Sequence, residues 1–385
     1  MNPNIRTILT TILFFVYLPL AFTQKNRQKT YKYMSCDHLL MVGYQGWFNA
    51  EGDGAGRGWN HYTHESVFAP GHTKVDYWPD VSDYPVKYKT AFQLSNGQPA
   101  YVFSSYDEST VDLHFKWMHD YGIDGAFMQR FVTTFMNPKG AAHYEKVLTS
   151  AVNAAKKYDR AICIMYDLSG MKSDNYKDVI KDWKQLVDKY KFNKKEAYES
   201  YLFHRNRPLV AIWGAGFNDN RKYNLKDVEK IVDFLKNDPV YGGCSVLLGV
   251  PTWWRELKFD TQDDTFLHSL IKKVDIVHPW FVGRYNEDTY PQFKQRIKDD
   301  IEWCIQHGLD YIPVAFPGFS WQNMRPQDPS NAIPRNKGNF FWKQLSGAID
   351  AGAQMIYVAM FDEIDEGTAI FKCAEDVPVG ASRFV

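Results

Sequence analysis

Several features that mark other protein classes are scarce in this 385-residue chain. Lysine and arginine (45) only balance aspartate and glutamate (45), so no basic surface is available to attract nucleic acid. The five cysteines show no CxxC or histidine-rich spacing, which argues against a sulfur-ligated metal. The glycine-rich stretch near residue 55 lacks a GK[ST] ending and is therefore no phosphate-binding loop.

The cysteines leave one question of pairing open. Because their number is odd, at least one is free or pairs between chains. Cys163 and Cys244 lie in apolar runs, as buried small side chains do. A disulfide between Cys36 and Cys373 is one alternative.

Long hydrophobic runs are also scarce, and the most extended one lies at the start of the chain. Apolar residues from Ile8 to Phe22 follow Arg6 and precede the polar stretch QKNRQK. This run is shorter than a secure membrane span, so we interpret residues 1–23 as a signal peptide cleaved near Ala21–Gln24. The alternative is an N-terminal anchor helix. The interpretation predicts a secreted or periplasmic protein, residues 24–385, with no membrane span after cleavage.

Apolar runs alternate with amphipathic stretches along the remaining chain. The predicted strands are 39–48, 122–132, 160–170, 207–217, 244–254, 274–285, 310–321 and 355–367. The predicted helices are 109–122, 142–159, 175–192, 225–238, 265–274, 290–308 and 339–352. Nearly continuous apolar runs are typical of parallel strands covered on both faces. Eight strands with seven helices predict a single α/β domain, a (β/α)8 TIM barrel whose last helix is reduced or missing. An open doubly wound sheet is the alternative.

Aromatic residues are abundant, at 16% of the chain, and many follow the predicted strands. In a barrel, functional residues lie at the C-terminal ends of the strands. Aromatic rings there suit a ligand with flat apolar faces, such as a sugar. The candidates for substrate contact are Tyr44, Gln45, Trp47, Trp59, His61, Gln129, Arg130, Asp167, Trp253, Trp254, His278, Trp280, Tyr285 and Trp321. For each residue, a place in the core is the competing interpretation.

One connection is much longer than the others. Residues 49–108 contain AEGDGAGRGWNHY, which is rich in glycine and ends in aromatic and imidazole side chains. A connection of this length inside a compact domain is usually a functional lid or binding loop. Glu51 and Asp53 could suggest calcium, but the ligand spacing of a calcium loop is absent.

Four acidic residues follow the last predicted strand in the segment AMFDEIDEGTAIFK. Glycosidic hydrolysis needs one carboxyl group as proton donor and a second as nucleophile or base. Glu363 and Glu366 are three residues apart and would face the same side of a helical turn. Their proximity would separate their two apparent pKa values, so that one is protonated near neutrality. The alternative is that all four acidic residues lie on a solvated loop.

The ending DEIDEGTAI at residues 362–370 resembles the FNEWHEGTxI ending of glycoside hydrolase family 99, the endo-α-mannosidases. Asp362 stands where the family has Asn, and Ile364 and Asp365 stand where it has Trp and His. The segments GYQGWF and GWNHY resemble the family's aromatic first strand. They are also similar to the neighbouring family 71/99-like secreted proteins.

This resemblance implies a retaining mechanism without an enzyme nucleophile. The glutamate matching Glu363 would deprotonate the sugar 2-hydroxyl, which attacks C1 and forms an anhydro sugar. The glutamate matching Glu366 would protonate the leaving group and then activate water. The resemblance implies no metal and no organic cofactor.

We expect a retaining, endo-acting hydrolase of α-mannosidic linkages in an oligosaccharide or polysaccharide. Three alternatives remain: an α-glucan hydrolase of the family 71 type, an inactive carbohydrate-binding barrel, and a barrel enzyme acting on another class of substrate. The two glutamates argue against a lectin, and the aromatic rim argues against a non-sugar substrate.

Overall fold

The computed structural model describes residues 32–194 and 199–385, so the predicted signal peptide lies outside the described residues. The strands are β1 (Leu40–Tyr44), β2 (Tyr88–Gln93), β3 (Pro99–Val102), β4 (Gly125–Phe131), β5 (Ala161–Asp167), β6 (Phe203–His204), β7 (Arg207–Trp213), β8 (Ser245–Val250), β9 (Ile276–Pro279), β10 (Asp310–Tyr311), β11 (Val314–Ala315) and β12 (Ile356–Val358). The α-helices are α1 (Glu108–Asp120), α2 (Val132–Phe135), α3 (Pro138–Tyr158), α4 (Tyr176–Tyr190), α5 (Leu225–Asn237), α6 (Phe266–Ile271), α7 (Tyr290–Gln306) and α8 (Asn339–Asp350).

The strands form a curled parallel sheet in the order β10-β9-β8-β7-β5-β4-β1-β12-β11. The seventh barrel strand is divided, because β10 pairs with β9 whereas β11 pairs with β12. Pro313 lies at the division and has no N–H to donate. Its carbonyl accepts from Tyr357 N (3.1 Å), while Ile312 N donates to Val277 O (3.0 Å). One divided strand thus joins both ends of the sheet, and the predicted α/β barrel is confirmed.

The sequence pattern explains why these segments are strands. Every residue of β5 and β8 is buried, because one face of each strand meets the barrel interior and the other meets helices. The helices instead bury one stripe: α4 buries Val179, Trp183 and Leu186 and exposes its charged face.

The segment after the last barrel strand is irregular along the described residues, in agreement with the predicted reduced or missing last helix. Among the described residues, no helix follows β12. The C-terminal tail instead crosses the long connection, residues 49–108. Ala374 N donates to Trp78 O (2.8 Å), and Val379 N donates to Gln93 O (2.9 Å).

The long connection is a folded part of the barrel mouth. Strands β2 and β3 form an antiparallel hairpin within it. Its Asp76 is fully buried and accepts hydrogen bonds from Gln322 N and Asn323 N, both 2.8 Å, in the segment after β11. The connection therefore supports the neighbouring loops, a role that its length alone did not reveal.

Two further sequence expectations have structural outcomes. Each of the five cysteines lies in the described ranges and is a free thiol, so Cys36 and Cys373 are not joined. Within residues 32–194 and 199–385, no helix combines the length and apolar character needed to cross a bilayer.

Candidate active site

A cavity of about 250 Å³ opens at the C-terminal ends of the barrel strands. Seven of the eight barrel strands or the loops after them contribute side chains. The lining residues are Gln45, Trp47, Gln129, Phe131, Met165, Asp167, Ser169, Trp213, Trp280, Trp321, Met360, Glu363 and Glu366. Both glutamates of the DEIDEG segment therefore face one cavity.

The segment after β12 brings these glutamates together through a tight turn, which we call the two-glutamate turn (residues 362–368). Thr368 N and Ala369 N both donate to Glu363 O, at 3.1 and 3.0 Å. Gly367 has φ +67°, and a Cβ there would lie 2.8 Å from Ser320 N. The sequence predicted a helical turn at this position. The structure has a tight turn that depends on Gly367, and this turn also brings Glu363 and Glu366 to the same cavity.

Glu363 lies at the back of the cavity and is 3% exposed. Its Oε1 accepts from Gln45 Nε2 (2.7 Å), and its Oε2 accepts from Thr368 Oγ1 (2.6 Å). Burial, followed by the charges of Glu366 and Asp365, raises the pKa of Glu363 well above its ordinary value, and the two donors oppose this. Both carboxylate oxygens thus have fixed partners.

Glu366 is the more accessible glutamate of the pair. Burial, together with the charge of Asp365, raises its pKa to about 8, while Lys74 and Arg325 act in the opposite direction. Two carboxyl groups with raised pKa values in one cavity lose their protons in two separate steps. Because both pKa values are raised, the pair retains at least one proton near neutral pH.

Asp362 positions the first strand against this turn. Its carboxylate accepts from Gln45 N and Gly46 N, both at 2.8 Å. Burial raises the pKa of Asp362 to about 7, and these backbone donors lower it. Gln45 is therefore held at its backbone by Asp362 and at its side chain by Glu363.

The acidic segment is not a solvated loop. Asp362 is 0% exposed and Asp365 is 1% exposed. Asp365 Oδ2 lies 3.0 Å from His61 Nδ1. The alternative of four hydrated acidic residues on a solvated loop is therefore wrong. Burying so many carboxyl groups is costly unless they are protonated or hydrogen-bonded.

Four tryptophans form much of the cavity wall. Trp213 and Trp280 meet edge to face with ring centres 5.3 Å apart. Arg325 lies over Trp321 at 4.0 Å, and His61 stacks on Trp47 with ring centres 3.7 Å apart. Rings held in this way provide rigid apolar surfaces for the faces of a sugar.

The structure places six of the predicted contact residues in this wall. These are Gln45, Trp47, Gln129, Asp167, Trp280 and Trp321. Gln129 Nε2 donates to Tyr357 Oη (2.8 Å), and Asp167 Oδ1 accepts from Ser169 N (2.7 Å). Burial raises the pKa of Asp167 to about 6.

Strand alternation carries other predicted residues away from the cavity. Tyr44 precedes Gln45, and its hydroxyl hydrogen-bonds to His114 Nδ1 (2.9 Å) in the surrounding layer. Arg130 follows Gln129, and its Nε donates to Asp182 Oδ2 on α4 (2.8 Å). Neither side chain lines the cavity.

The remaining predicted residues have packing partners elsewhere. Trp254 is fully buried, with its ring centre 4.8 Å from that of Trp303, and Trp253 lies under Arg296 at 3.9 Å.

Tyr285 donates to Gln344 Oε1 (2.8 Å), and Trp59 packs on Phe68 with ring centres 5.3 Å apart. His278 Nδ1 lies 3.0 Å from Ile312 O, and burial lowers its pKa to about 4. His61 lies one layer behind the wall. None of these residues belongs to the cavity lining.

The sequence interpretation missed five lining residues: Phe131, Met165, Ser169, Trp213 and Met360. Alternation along the strand contains the signal for two of them. Phe131 lies two residues after Gln129, and Met165 lies two residues before Asp167, on the same faces of β4 and β5.

Comparison with known proteins finds similarity to one family of glycoside hydrolases. The model of glycosyl hydrolase family 99 matches residues 255–378, which include the two-glutamate turn. Glycoprotein endo-alpha-1,2-mannosidase of Mus musculus is 22% identical over 87% of this chain and 68% of its own length. The Rattus norvegicus protein of that name is 22% identical over 70% of this chain and 55% of its own length. The chain thus spans about half to two thirds of these curated relatives.

The solved structure of a GH99 endo-alpha-mannosidase from Bacteroides thetaiotaomicron has a TM-score of 0.61 to this chain. Its sequence identity is 16%, with 91% of this chain and 92% of that chain covered. At this identity the likeness shows the fold. The chain is therefore similar to glycosyl hydrolase family 99 in the sequence of residues 255–378 and to a solved member of that family in its fold. Among the described residues of this chain, no group of three or more His, Cys, Asp or Glu side chains could hold a metal ion.

Proposed function

We propose that this protein is a retaining, endo-acting glycoside hydrolase that cleaves α-mannosidic linkages in a glycan or mannan. Glu363 and Glu366 are its proposed catalytic residues. The observation that carries the proposal is that both glutamates face one tryptophan-walled cavity from a single turn. The mouse and rat relatives are named glycoprotein endo-alpha-1,2-mannosidases, which supports the choice of mannose.

We assign different roles to the two glutamates from their surroundings and from the resemblance to family 99. Glu363 accepts from two donors, so its ionised form is stabilised. Glu366 is more accessible, and the charge of Asp365 favours its protonated form. The two donors to Glu363 and the accessibility of Glu366 support Glu363 as the base and Glu366 as the acid, the roles that the resemblance to family 99 implies for the matching glutamates.

The proposed reaction follows from this assignment and from the resemblance to family 99. Glu363 removes the proton of the 2-hydroxyl, and O2 attacks C1 while the bond from C1 to the leaving oxygen breaks. Glu366 gives its proton to that oxygen, and an anhydro sugar remains. Glu366 then removes a proton from water, and the water oxygen attacks C1 while the bond from C1 to O2 breaks. O2 recovers its proton from Glu363. Two inversions at C1 produce net retention.

The test offers α-mannans and α-glucans to the full chain and to its Glu363→Gln and Glu366→Gln variants. Glu65→Gln, at an exposed position of the long connection, is the matched control. We expect oligosaccharide release from an α-mannan by wild type and control, first as the retained anomer in NMR spectra, and its loss in both glutamine variants. Release from an α-glucan alone would contradict the α-mannan substrate and show an α-glucan hydrolase. Binding without turnover that neither variant changes would leave a carbohydrate-binding barrel.

We also propose that the protein is exported through residues 1–23, because Arg6 precedes a short apolar run. N-terminal sequencing of protein recovered outside the cytoplasm should begin near Gln24. Recovery of an intact Met1 would contradict cleavage.

A further inference from the structure

Asp365 lies within the two-glutamate turn but does not line the cavity. Its Oδ2 is 3.0 Å from His61 Nδ1 and 3.9 Å from Lys74 Nζ. Among the described residues, no group donates a hydrogen bond to its Oδ1. A buried carboxylate with so few partners is costly, and it persists only where the surrounding structure holds it.

His61 links Asp365 to the cavity wall. Its ring stacks on Trp47 at an interplanar angle of 8° and meets Phe48 edge to face with ring centres 5.9 Å apart. Its backbone has φ +65°, a conformation that non-glycine residues rarely adopt. Burial lowers the pKa of His61, so the ring is neutral at pH 7 and contributes a hydrogen bond and an aromatic face.

Lys74 supplies the cation at this position. The residue is only 9% exposed, and its backbone N donates to Tyr62 O (2.9 Å) within the same connection. A largely buried ammonium group acts strongly on nearby carboxyl groups because little solvent screens it.

We propose that His61, Lys74 and Asp365 are positioning residues that hold the two-glutamate turn from behind and determine where its shared proton resides. This proposal rests on the proposed function, since it concerns the same two glutamates. It also changes the role of His61 from a substrate contact to a support for the catalytic turn.

Several charged groups face this support from neighbouring elements. Glu363, Glu366 and Asp362 belong to the turn itself. From the long connection, Arg57 and Lys74 lower the pKa of His61, and Asp365 acts on His64. From the segment after β11, Arg325 lowers the pKa of Glu366. Of these groups, Asp365 and Lys74 are opposite in charge and shift the pKa of Glu366 in opposite directions.

Removing the charge of Asp365 and removing the charge of Lys74 should therefore have opposite effects on the pKa of Glu366. Asp365 favours the protonated form of Glu366, so Asp365→Asn should move the alkaline limb of the pH–kcat/KM profile to lower pH. Lys74 favours the ionised form, so Lys74→Met should move the same limb to higher pH. We expect shifts of about one pH unit in each case. Lys74→Arg, which keeps the charge, should restore most of the wild-type profile.

His61→Gln should behave differently, because it removes a neutral group. We expect a lower kcat with a nearly unchanged alkaline limb, since the turn loses a hydrogen bond and no charge is removed. The matched control is His72→Gln in the same connection, where His72 pairs with exposed Glu65 at 2.8 Å. This control should retain the wild-type profile.

The experiment measures the pH profile of the full chain and its folded variants, and in parallel titrates the carboxyl groups by 13C NMR in protein labelled at glutamate. The NMR titration needs no substrate, so it tests this proposal even if no α-mannan is cleaved. Opposite shifts for Asp365→Asn and Lys74→Met support the proposal. Shifts in the same direction, or no shift of Glu366 in folded Lys74→Met, would overturn it. If Asp365→Asn fails to fold, the Lys74→Met and Lys74→Arg pair decides.

Discussion

The protein contains buried carboxyl groups of two kinds in two regions. Between the barrel and α4, Asp182 accepts from Arg130 Nε (2.8 Å) and from Tyr166 Oη (2.8 Å). At the barrel mouth, Glu363 and Glu366 have no arginine ion pair within the described residues. In the first region, Arg130 neutralises the charge of Asp182. In the second region, protons and not an arginine ion pair balance the charges of Glu363 and Glu366.

This difference separates structural from chemical use of the same functional group. An arginine pair fixes a carboxylate in its ionised form and joins two elements of the fold. Carboxyl groups without such a cation have raised pKa values and can exchange protons with a substrate. The carboxyl groups of the two regions, and the cavity wall beside the second region, can each be tested by substitution.

Glu363→Gln and Glu366→Gln should have the largest effect on activity. We expect kcat to fall by about 10²–10⁴-fold in each variant, because general acid–base catalysis contributes this much. The fold should be retained, since glutamine keeps the shape without the buried charge. Steady-state kinetics with a thermal unfolding curve measures both. A variant that is less stable but retains its specific activity would show that the glutamate has a structural role and not a chemical one.

Arg130→Met should have the largest effect on stability. It leaves Asp182 buried without its cation, which costs about 3–5 kcal/mol of the free energy of unfolding. Chemical denaturation measures this loss, and kcat of the folded fraction should change little. Asp182→Asn together with Arg130→Met is the control, because it removes both charges and should recover part of the stability. Lost activity in fully folded Arg130→Met would contradict a structural role.

The two-glutamate turn should also affect the pH dependence of stability. The pKa of Glu366 rises from 4.5 to about 8 on folding, so the folded state holds its proton more tightly than the unfolded chain. The contribution of Glu366 to stability is then greatest below about pH 4.5 and is lost as the pH rises through about 8. Glu366→Gln should unfold several degrees higher than wild type at pH 8 and similarly at pH 4.5. An equal difference at both pH values would show that folding does not shift this pKa.

Trp280→Ala and Trp253→Ala should separate the cavity wall from the packed surface. Trp280 lines the cavity, and its loss should raise KM roughly tenfold through lost ring contact. Trp253 lies under Arg296 outside the cavity, so its substitution should change KM less than about twofold. Equal changes in KM would show that the cavity does not describe the substrate path.

The sequence predicted most of the fold because barrel strands and helices have local patterns. All eight barrel strands lie within the predicted runs, although the division of the seventh strand at Pro313 was not foreseen. For the site, the short motif identified the two-glutamate turn. It did not predict which neighbouring residues face the cavity. Gln129 and Arg130 are adjacent in sequence, yet alternation sends one into the cavity and the other toward α4.

By itself, the sequence determined the parallel barrel and the pairing of Glu363 with Glu366, because these features depend on strand burial or on contacts between near neighbours. Only the tertiary structure decided how the charges of that pair are supported. Asp365 meets a histidine 304 positions away in sequence, and Arg130 meets a carboxylate 52 positions away. Such contacts depend on how the long connection and the helices pack around the barrel mouth, and no local pattern encodes that packing.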